Sequence, residues 1–254
     1  MDTTPGSAAK AEPRTRVIVN GARGKMGAEA VRAVSAQADL ELVGATDLGD
    51  DLAGTITAQR ADVVVDFTAA SAALRNFEAI LRAGACPVMG TSGFGASEVE
   101  HARALCAQHR RPAVIAPNFA LSSVLLARFA AEAARYLPHV ELIEAHHEKK
   151  EDAPSGTAIK VAIDVARARR ETPHVPSRES VAGVRGGVVE GVRVHSIRVP
   201  GLLARMECLF GGLGDTLTIR HDTLTRESFM PGVLLAVRKV RAQTGLVYGL
   251  EHLL

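Results

Sequence analysis

The chain has 254 residues, of which 47% are hydrophobic and 23% are charged, a balance typical of one or two globular domains and not of a disordered protein. A formal net charge of +2 provides no general attraction for nucleic acid or for a membrane surface, and an aromatic content of 4% leaves little for a base-stacking surface. No apolar run approaches the ~18 residues of a membrane span. We therefore expect neither a nucleic-acid partner nor a membrane partner.

The N-terminus and the cysteines both favour a cytoplasmic protein. The opening string MDTTPGSAAKAEPRT lacks the apolar segment of a secretory signal, and residues 1–14 are predicted to form a flexible tail. Cys86, Cys106 and Cys208 are odd in number, far apart and without a CxxC pair. This spacing argues against a disulfide framework and against a metal site, and predicts buried thiols in a reducing compartment.

The first 118 residues alternate between strand and helix patterns. Short β-branched or apolar runs predict strands at 16–20, 40–45, 62–67, 85–90 and 112–117. Helical spacing predicts helices that begin near Met26, at Ser71 and at Ser97, with the two serines as N-caps. Near-continuous apolar runs such as DVVVDF are typical of strands buried on both faces. The alternation predicts an α/β fold with a Rossmann-type doubly wound parallel sheet.

The pattern changes after Pro117 and predicts a second domain. A helix is expected over 121–136, a strand over 139–147 and another helix over 155–170, followed by a poorly periodic segment at 172–191. Three strand-like runs at 191–200, 204–210 and 216–222 then follow without intervening helices, and a last helix is expected over 231–243. Such an order predicts an α+β domain with a mixed sheet.

A glycine-rich loop lies between the first strand and the first helix. In VIVNGARGKMG, Gly21, Gly24 and Gly27 occupy the turn where free backbone N–H groups and the helix dipole face an anion. The spacing GxxGxxG is less specific than GxGxxG, but its position between strand and helix is that of a pyrophosphate-binding loop. A tight turn that binds no ligand is the alternative.

Asp47 ends the second predicted strand, 20 positions after Gly27, where a carboxylate can accept hydrogen bonds from a ribose diol. This position predicts use of NADH. Arg23 and Lys25 in the glycine loop could reach a 2′-phosphate, so we also expect use of NADPH. Alternatively, Asp47 is an ordinary turn residue before Gly49.

Three further loops follow strands at the carboxyl edge of the predicted sheet, where open α/β sheets bind their ligands. Phe67 and Thr68 follow the third strand, and the string GTSGF from Gly90 to Phe94 follows the fourth. Both are expected to line a nicotinamide, while APNF at 116–119 is expected to form a hinge and a third wall. Turns of this composition also occur without a ligand.

The string EAHHEKKEDAPSGTA carries the densest group of chemically active side chains. A strand ends at His146 and His147, Lys150 follows in the loop, and a helix begins near Ser155. The helix start, with the hydroxyls of Ser155 and Thr157, is expected to hold a carboxylate or a phosphate. The open alternatives are metal ligation, for which no third ligand is spaced nearby, and a solvated run of charges.

Together the strings NGARGKMG, VDFT, GTSGF, APNF and EAHHEKKEDAPSGTA resemble those of the dihydrodipicolinate reductases, also named 4-hydroxy-tetrahydrodipicolinate reductases, of bacterial lysine and diaminopimelate biosynthesis. The match runs from about Arg16 to the C-terminus. The resemblance implies an enzyme that passes a hydride from NADH or NADPH to a small cyclic dicarboxylate, with loss of water. It also implies a homotetramer in which the second domains pool their sheets.

The resemblance further implies a role for each matching residue. His146 is expected to be the general acid with Lys150 as its partner, and a substrate carboxylate is expected at His147, Ser155, Gly156 and Thr157. Cofactor positions are implied at Gly21, Lys25, Met26, Asp47, Gly90 and Thr91, to which the loop analysis adds Arg23, Gly24, Gly27, Phe67, Ala116, Asn118 and Phe119. The expected cofactor domain comprises 15–118 and 231–254, and the substrate-binding and oligomerisation domain comprises 119–230.

Two other functions share part of this pattern. An aspartate-type amino-acid dehydrogenase would share the glycine loop but not the paired histidines before Lys and PSGT. A non-catalytic NAD(P) sensor would keep Gly21, Gly24 and Asp47, yet would have no use for His146 or Lys150.

Overall fold

The computed structural model describes residues 13–91 and 93–254. These residues form two compact units: the first comprises the described residues up to Ile115 together with Ala236–Tyr248, and the second comprises Ala116–Leu235 together with Gly249–Leu254. Most of the predicted tail at 1–14 lies outside the described residues. Within the described ranges, no helix is both long and apolar enough to span a membrane.

The chain alternates strands and helices through its first half and gathers strands in its second. The strands are β1 (Thr15–Asn20), β2 (Leu40–Thr46), β3 (Val63–Asp66), β4 (Cys86–Met89), β5 (Ala113–Ile115), β6 (His139–His146), β7 (Gly187–Val189), β8 (Val192–Arg198), β9 (Ala204–Gly211), β10 (Thr216–Thr223) and β11 (Leu246–Tyr248). The helices are α1 (Lys25–Ser35), α2 (Leu52–Gln59), α3 (Ala73–Arg82), α4 (Ala96–His109), α5 (Leu121–Ala134), α6 (Gly156–Ala168) and α7 (Met230–Val240). Short 3₁₀ turns lie at Ala70–Ala72, Arg226–Phe229 and Leu250–Leu253.

The first unit is built on a six-stranded sheet in the order β11-β5-β4-β3-β1-β2, and every neighbouring pair is parallel. Its central strands are buried on both faces, as Val63, Val64 and Val65 show. The predicted Rossmann-type parallel sheet is thus confirmed. In such a sheet the carboxyl ends of the strands share one edge, so the loops after β1, β3 and β4 lie close together.

The second unit contains a mixed sheet, as predicted, and its five strands have the order β10-β9-β6-β8-β7. Only β6 and β8 pair in parallel, while the other pairs are antiparallel. Side chains of α5 and α6 pack with Leu142, Val194 and Phe210 in the core on one face of the sheet. Ile197 and Leu209, on the opposite face, are 41% and 39% exposed.

Three local features differ from the sequence predictions. α2 was not predicted, because it has only eight residues and a weak periodicity; its N-cap Asp51 accepts a hydrogen bond from Gly54 N. The expected serine caps are wrong: α3 begins after a 3₁₀ turn that includes Ser71, and the N-cap of α4 is Gly95. The Oγ of Ser97 instead hydrogen-bonds the Glu98 carboxylate at 2.9 Å. The three-residue strands β7 and β11 were also not predicted.

Candidate active site

The glycine loop after β1 is closely packed against neighbouring backbone. Gly21 has a φ of +80°, and a Cβ atom there would lie 2.7 Å from the carbonyl oxygen of Phe67. A Cβ on Gly27 would lie 2.0 Å from the carbonyl oxygen of Gly21. Gly24 is the N-cap of α1, and no described side chain caps that helix. The loop therefore presents uncapped backbone N–H groups, the donors that a pyrophosphate requires.

Asp47, just after β2, is hydrogen-bonded to the glycine loop. Its carboxylate accepts from Arg23 N and from Leu48 N, both at 2.8 Å. The backbone hydrogen bond from Arg23 contributes most to lowering the pKa of Asp47, and the bond from Leu48 adds to it. The side chain therefore stays anionic at neutral pH. The side chains of Arg23 and Lys25 are exposed. An acid and two cations thus remain near one end of the predicted cofactor loop.

A buried carboxylate, which the sequence analysis missed, joins the loops at the carboxyl edge of the first sheet. Asp66 is fully buried at the end of β3. It accepts hydrogen bonds from Asn20 Nδ2 at 2.8 Å and from Asn76 Nδ2 at 3.0 Å. Thr68 contributes its backbone N at 3.0 Å and its hydroxyl at 2.7 Å, and the Thr91 hydroxyl donates at 2.7 Å. One side chain therefore fixes the loops that follow β3 and β4.

Gly90 and Thr91 follow β4 beside Phe67. A Cβ on Gly90 would lie 2.1 Å from the Phe67 ring, so the ring requires glycine at this position. Thr91 is buried and bonded to Asp66, and Ser92 lies outside the described residues. The Phe67 ring, the Gly90 backbone and the small Thr91 side chain thus line this edge, which suits a flat ring approached at close range.

The segment 116–119 belongs to the second unit. Ala116 and Phe119 are buried, and Asn118 folds back onto the start of α5. Its Nδ2 donates to Ser123 Oγ at 3.0 Å, and its Oδ1 accepts from Ala120 N at 2.8 Å. The Asn118 side chain therefore holds the helix start, a contact that the proposed cofactor role does not account for.

His146, the last residue of β6, lies against a carboxylate. Its Nδ1 is 2.5 Å from Oε2 of Glu144, two residues earlier on the same face of the strand. The His146 side chain is 16% exposed. Burial lowers the pKa of His146, and the nearby Lys150 and Arg198 lower it further, while the bond to Glu144 opposes that shift.

Glu144 is fully buried and is paired with Arg198, a residue at the end of β8 that the sequence analysis also missed. The guanidinium donates from Nη2 to Oε1 at 2.8 Å and from Nη1 to Oε2 at 3.1 Å, and Ser155 N donates to Oε1 at 3.3 Å. Burial raises the pKa of Glu144, but the hydrogen bonds from Arg198, Ser196 and His146 outweigh it and hold the pKa below its usual value. The carboxylate is therefore ionised.

Arg198 also holds the loop that carries Lys150. Its Nε donates to the carbonyl of Lys150 at 3.2 Å, and its Nη2 donates to the carbonyl of Asp152 at 2.6 Å. The Lys150 ammonium lies 2.6 and 2.9 Å from the two oxygens of the exposed Asp152 carboxylate. A dianionic ligand would compete with Asp152 for this ammonium.

The start of α6 completes the cluster. Ser155 is the N-cap, and its Oγ accepts from Ala158 N at 3.2 Å. Nothing lies within 4 Å of a Cβ built on the exposed Gly156, so a ligand can approach the backbone there. Thr157, the next residue, and His147, which follows β6, are both half-buried. The described residues contain no group of three His, Cys, Asp or Glu side chains able to hold a metal ion.

The structure thus divides the predicted residues between the two units. Gly21, Arg23, Gly24, Lys25, Met26, Gly27, Asp47, Phe67, Gly90 and Thr91 lie in the first unit; Ala116, Asn118, Phe119, His146, His147, Lys150, Ser155, Gly156 and Thr157 lie in the second. The first unit can hold an anion and a ribose. The second can hold carboxylates and supply a proton.

Comparison with known proteins agrees with this geometry. Residues 15–119 match the family model "Dihydrodipicolinate reductase, N-terminus", and residues 122–254 match "Dihydrodipicolinate reductase, C-terminus". The chain is 46% identical to the 4-hydroxy-tetrahydrodipicolinate reductase of Moorella thermoacetica, covering 94% of this chain and 97% of that one. The corresponding protein of Legionella pneumophila is also 46% identical, over 95% of this chain and its own full length.

Solved structures give the same result. A dipicolinate-bound dihydrodipicolinate reductase from Paenisporosarcina sp. TG-14 is similar with a TM-score of 0.86 and 36% identity, covering 95% of this chain and 100% of that one. An amine dehydrogenase from Mycobacterium smegmatis has a TM-score of 0.63 at 13% identity, over 93% of this chain and 95% of that one, which is a likeness of fold alone. On these matches, the chain belongs to the dihydrodipicolinate reductase family.

Proposed function

We propose that the protein is an NAD(P)H-dependent 4-hydroxy-tetrahydrodipicolinate reductase of lysine and diaminopimelate biosynthesis. The substrate loses water, and its ring then accepts a hydride and a proton to give tetrahydrodipicolinate. The observation that carries the proposal is the cluster at the end of β6, where a carboxylate-held His146 lies beside the Lys150 loop and the open start of α6. The 46% identity to relatives that bear this name supports it.

The first unit suits the cofactor. The glycine loop is closely packed, since a Cβ on Gly27 would lie 2.0 Å from the Gly21 carbonyl oxygen, and the uncapped start of α1 offers donors to a pyrophosphate. Asp47, hydrogen-bonded to Arg23 N, is the acceptor proposed for the ribose diol. Bound NAD(P)H supplies the hydride. Phe67, Gly90 and Thr91 then form the wall for its nicotinamide, and exposed Arg23 and Lys25 allow a 2′-phosphate to be accepted.

The second unit suits the substrate and its protonation. Hydride addition to a conjugated imine leaves electron density that must be protonated, and His146 with Lys150 supplies that proton and stabilises the charge. One substrate carboxylate binds at the start of α6 through Ser155, Gly156 and Thr157, with His147 beside it. The similar reductase from Paenisporosarcina has dipicolinate bound, which supports a cyclic dicarboxylate as the ligand class.

The protein is further proposed to be a cytoplasmic homotetramer. One face of the second sheet is covered by α5 and α6, whereas the other presents partly exposed apolar side chains such as Ile197 and Leu209. Burying such faces against other copies would remove this apolar surface from water. A reducing compartment suits the three buried free cysteines among the described residues.

A coupled assay tests the activity directly. Dihydrodipicolinate synthase generates the substrate in place, and oxidation of NADH or NADPH is followed by absorbance. We expect His146→Gln and Lys150→Ala each to lower turnover about 100-fold or more, the usual scale for a lost proton-transfer or charge-stabilising group. Lys149→Ala is the matched control, because this exposed neighbour removes the same charge from the same loop.

The alternatives give different results in the same experiment. Oxidation of a free amino acid with NAD⁺, without activity in the coupled assay, identifies an amino-acid dehydrogenase. NADH binding by folded protein without any turnover identifies a sensor. Near-wild-type turnover in both variants removes His146 and Lys150 from the mechanism.

A further inference from the structure

We infer that Glu144 is a positioning residue for His146: its carboxylate holds the imidazole with the proton on Nδ1 and leaves Nε2 to exchange a proton with a ligand. The catalytic part of this inference rests on the proposed function, whereas the hydrogen bond and its tautomer do not.

The donors around Glu144 fix which group carries the shared proton. The carboxylate already accepts two N–H groups of Arg198 and one backbone N–H of Ser155. An ionised carboxylate can only accept hydrogen bonds. At a separation of 2.5 Å, Nδ1 of His146 must therefore be the donor. In the neutral imidazole this leaves Nε2 as the acceptor, and in the charged imidazolium it leaves Nε2–H as the acid.

The strand pairing explains why the three side chains meet. Glu144 and His146 are two residues apart on β6, so they point to the same face of the sheet. In the parallel register His146 lies opposite Arg198, and Glu144 lies opposite Ser196. The guanidinium consequently reaches the carboxylate bidentately, a geometry that Lys could not reproduce.

Arg198 makes the arrangement compatible with an anionic ligand. A buried carboxylate beside a dicarboxylate site would repel the substrate, but the bidentate ion pair balances its charge. The same guanidinium bonds the carbonyls of Lys150 and Asp152, so the pair also fixes the loop that carries the Lys150 ammonium. Glu144 thus orients the acid while Arg198 orients its partner.

The charged groups facing His146 set the direction of the expected pH effect. Glu144 favours the protonated imidazole, whereas burial, Lys150 and Arg198 disfavour it. Glu144→Gln removes the only one of these influences that raises the pKa of His146 and leaves the Arg198 charge unbalanced. The acid form is then lost at a lower pH than in the wild type.

The first experiment uses the full-length wild-type protein. Ring ¹⁵N shifts of labelled histidine, with the His146 signal assigned by its loss in His146→Gln, report which nitrogen carries the proton above the titration range. We expect Nδ1–H. A neutral Nε2–H tautomer overturns the inference, and this readout requires neither catalytic activity nor a variant at Glu144.

The second experiment compares pH dependence in Glu144→Gln and wild type. We expect the His146 titration and the alkaline fall of kcat/KM to move together to lower pH, with a loss of about tenfold or more near pH 8 and a smaller loss near pH 6. Glu141→Gln is the matched control. Glu141 lies on the same strand and contacts His195 at 2.7 Å and Arg185, so its loss should leave the His146 titration unchanged.

The outcomes separate this inference from the proposed function. An Nδ1–H tautomer and a shifted titration without any reductase turnover keep the positioning role and reject the proposed reaction. Reductase turnover with an unshifted titration in folded Glu144→Gln rejects the positioning role alone. If Glu144→Gln does not fold, the wild-type tautomer decides the question.

Discussion

Replacing Asp66 with Ala tests whether one buried carboxylate holds the cofactor loops together. The change removes the acceptor for five hydrogen bonds from Asn20, Asn76, Thr68 and Thr91. All of these donors are neutral amide, hydroxyl or backbone groups, so no unpaired cation is left behind. The cost should therefore come from unsatisfied donors and from the cavity.

Contacts that survive the substitution limit the loss in free energy of unfolding. Asn76 Nδ2 keeps Thr68 Oγ1 at 3.0 Å, and the Thr91 hydroxyl keeps the Asp66 carbonyl at 3.1 Å. Asn20 Nδ2, Thr68 N and the Thr68 hydroxyl lose the acceptor described for them. A buried donor without a partner costs about 1–3 kcal/mol, so the three together cost about 3–9 kcal/mol. Against a typical total stability of about 5–15 kcal/mol, this loss is large.

Urea unfolding followed by far-UV circular dichroism measures the effect. Asp62→Ala is the control, because Asp62 immediately precedes the same strand and makes fewer contacts than Asp66. Its carboxylate accepts one backbone N–H, from Arg16 at 2.8 Å, and forms a long ion pair with Arg241 at 3.6 Å. We expect it to cost about 1 kcal/mol. If Asp66→Ala costs no more than Asp62→Ala, the buried network does not stabilise the first unit.

Changes at Asp47 and Gly27 and chemical labelling of two buried cysteines test the cofactor loop and the core. Asp47→Ala should raise the KM for NADH about tenfold, because it removes a charged acceptor for the ribose hydroxyls, and should change the KM for NADPH less. An unchanged KM for NADH in steady-state kinetics would remove Asp47 from the ribose site. Gly27→Ala should raise the Kd for NADH more than tenfold by calorimetry, because its Cβ would lie 2.0 Å from a backbone oxygen; wild-type affinity would contradict the close packing of the loop. Burial raises the pKa of Cys106 to about 11 and the pKa of Cys208 to about 12, so little of either thiol is in the reactive thiolate form at pH 8. An aromatic disulfide reagent should therefore label both thiols far more slowly in native protein than in urea-unfolded protein at pH 8.

Hydrophobic periodicity predicted most of the fold because long apolar runs have few alternative structures. The runs at β1, β3 and β4 are too apolar for half-exposed strands, and their alternation with helices requires a parallel sheet. α2 has eight residues and a weak periodicity, so the Asp51 cap contributes to defining it. The strands β7 and β11 have three residues each, and their pairing partners rather than their own composition determine them.

Local motifs predicted the candidate site where the residues are contiguous, as in the glycine loop and in the string from His146 to Thr157. Partners distant in sequence were missed. Arg198 lies 54 residues after Glu144, and Asp66 lies 46 residues after Asn20. Glu144 left one local signal, since Glu-x-His in a strand places both side chains on one face. Only the register of β6 with β8 could show that Arg198 joins them.

Asp66 and Glu144 are both buried carboxylates, but different groups stabilise them. The difference follows from the part of the molecule that lies next to each carboxylate. Asp66 adjoins loops that must be held in register, and neutral amides and hydroxyls suffice because each bond fixes one segment. Glu144 adjoins a site proposed to bind a dianion, where an unbalanced negative charge would oppose binding through a medium of low dielectric constant. A bidentate guanidinium removes that repulsion without removing the hydrogen bond to His146. Loss of Arg198 should therefore weaken binding of the dicarboxylate as well as proton transfer, whereas loss of Glu144 should act mainly through His146.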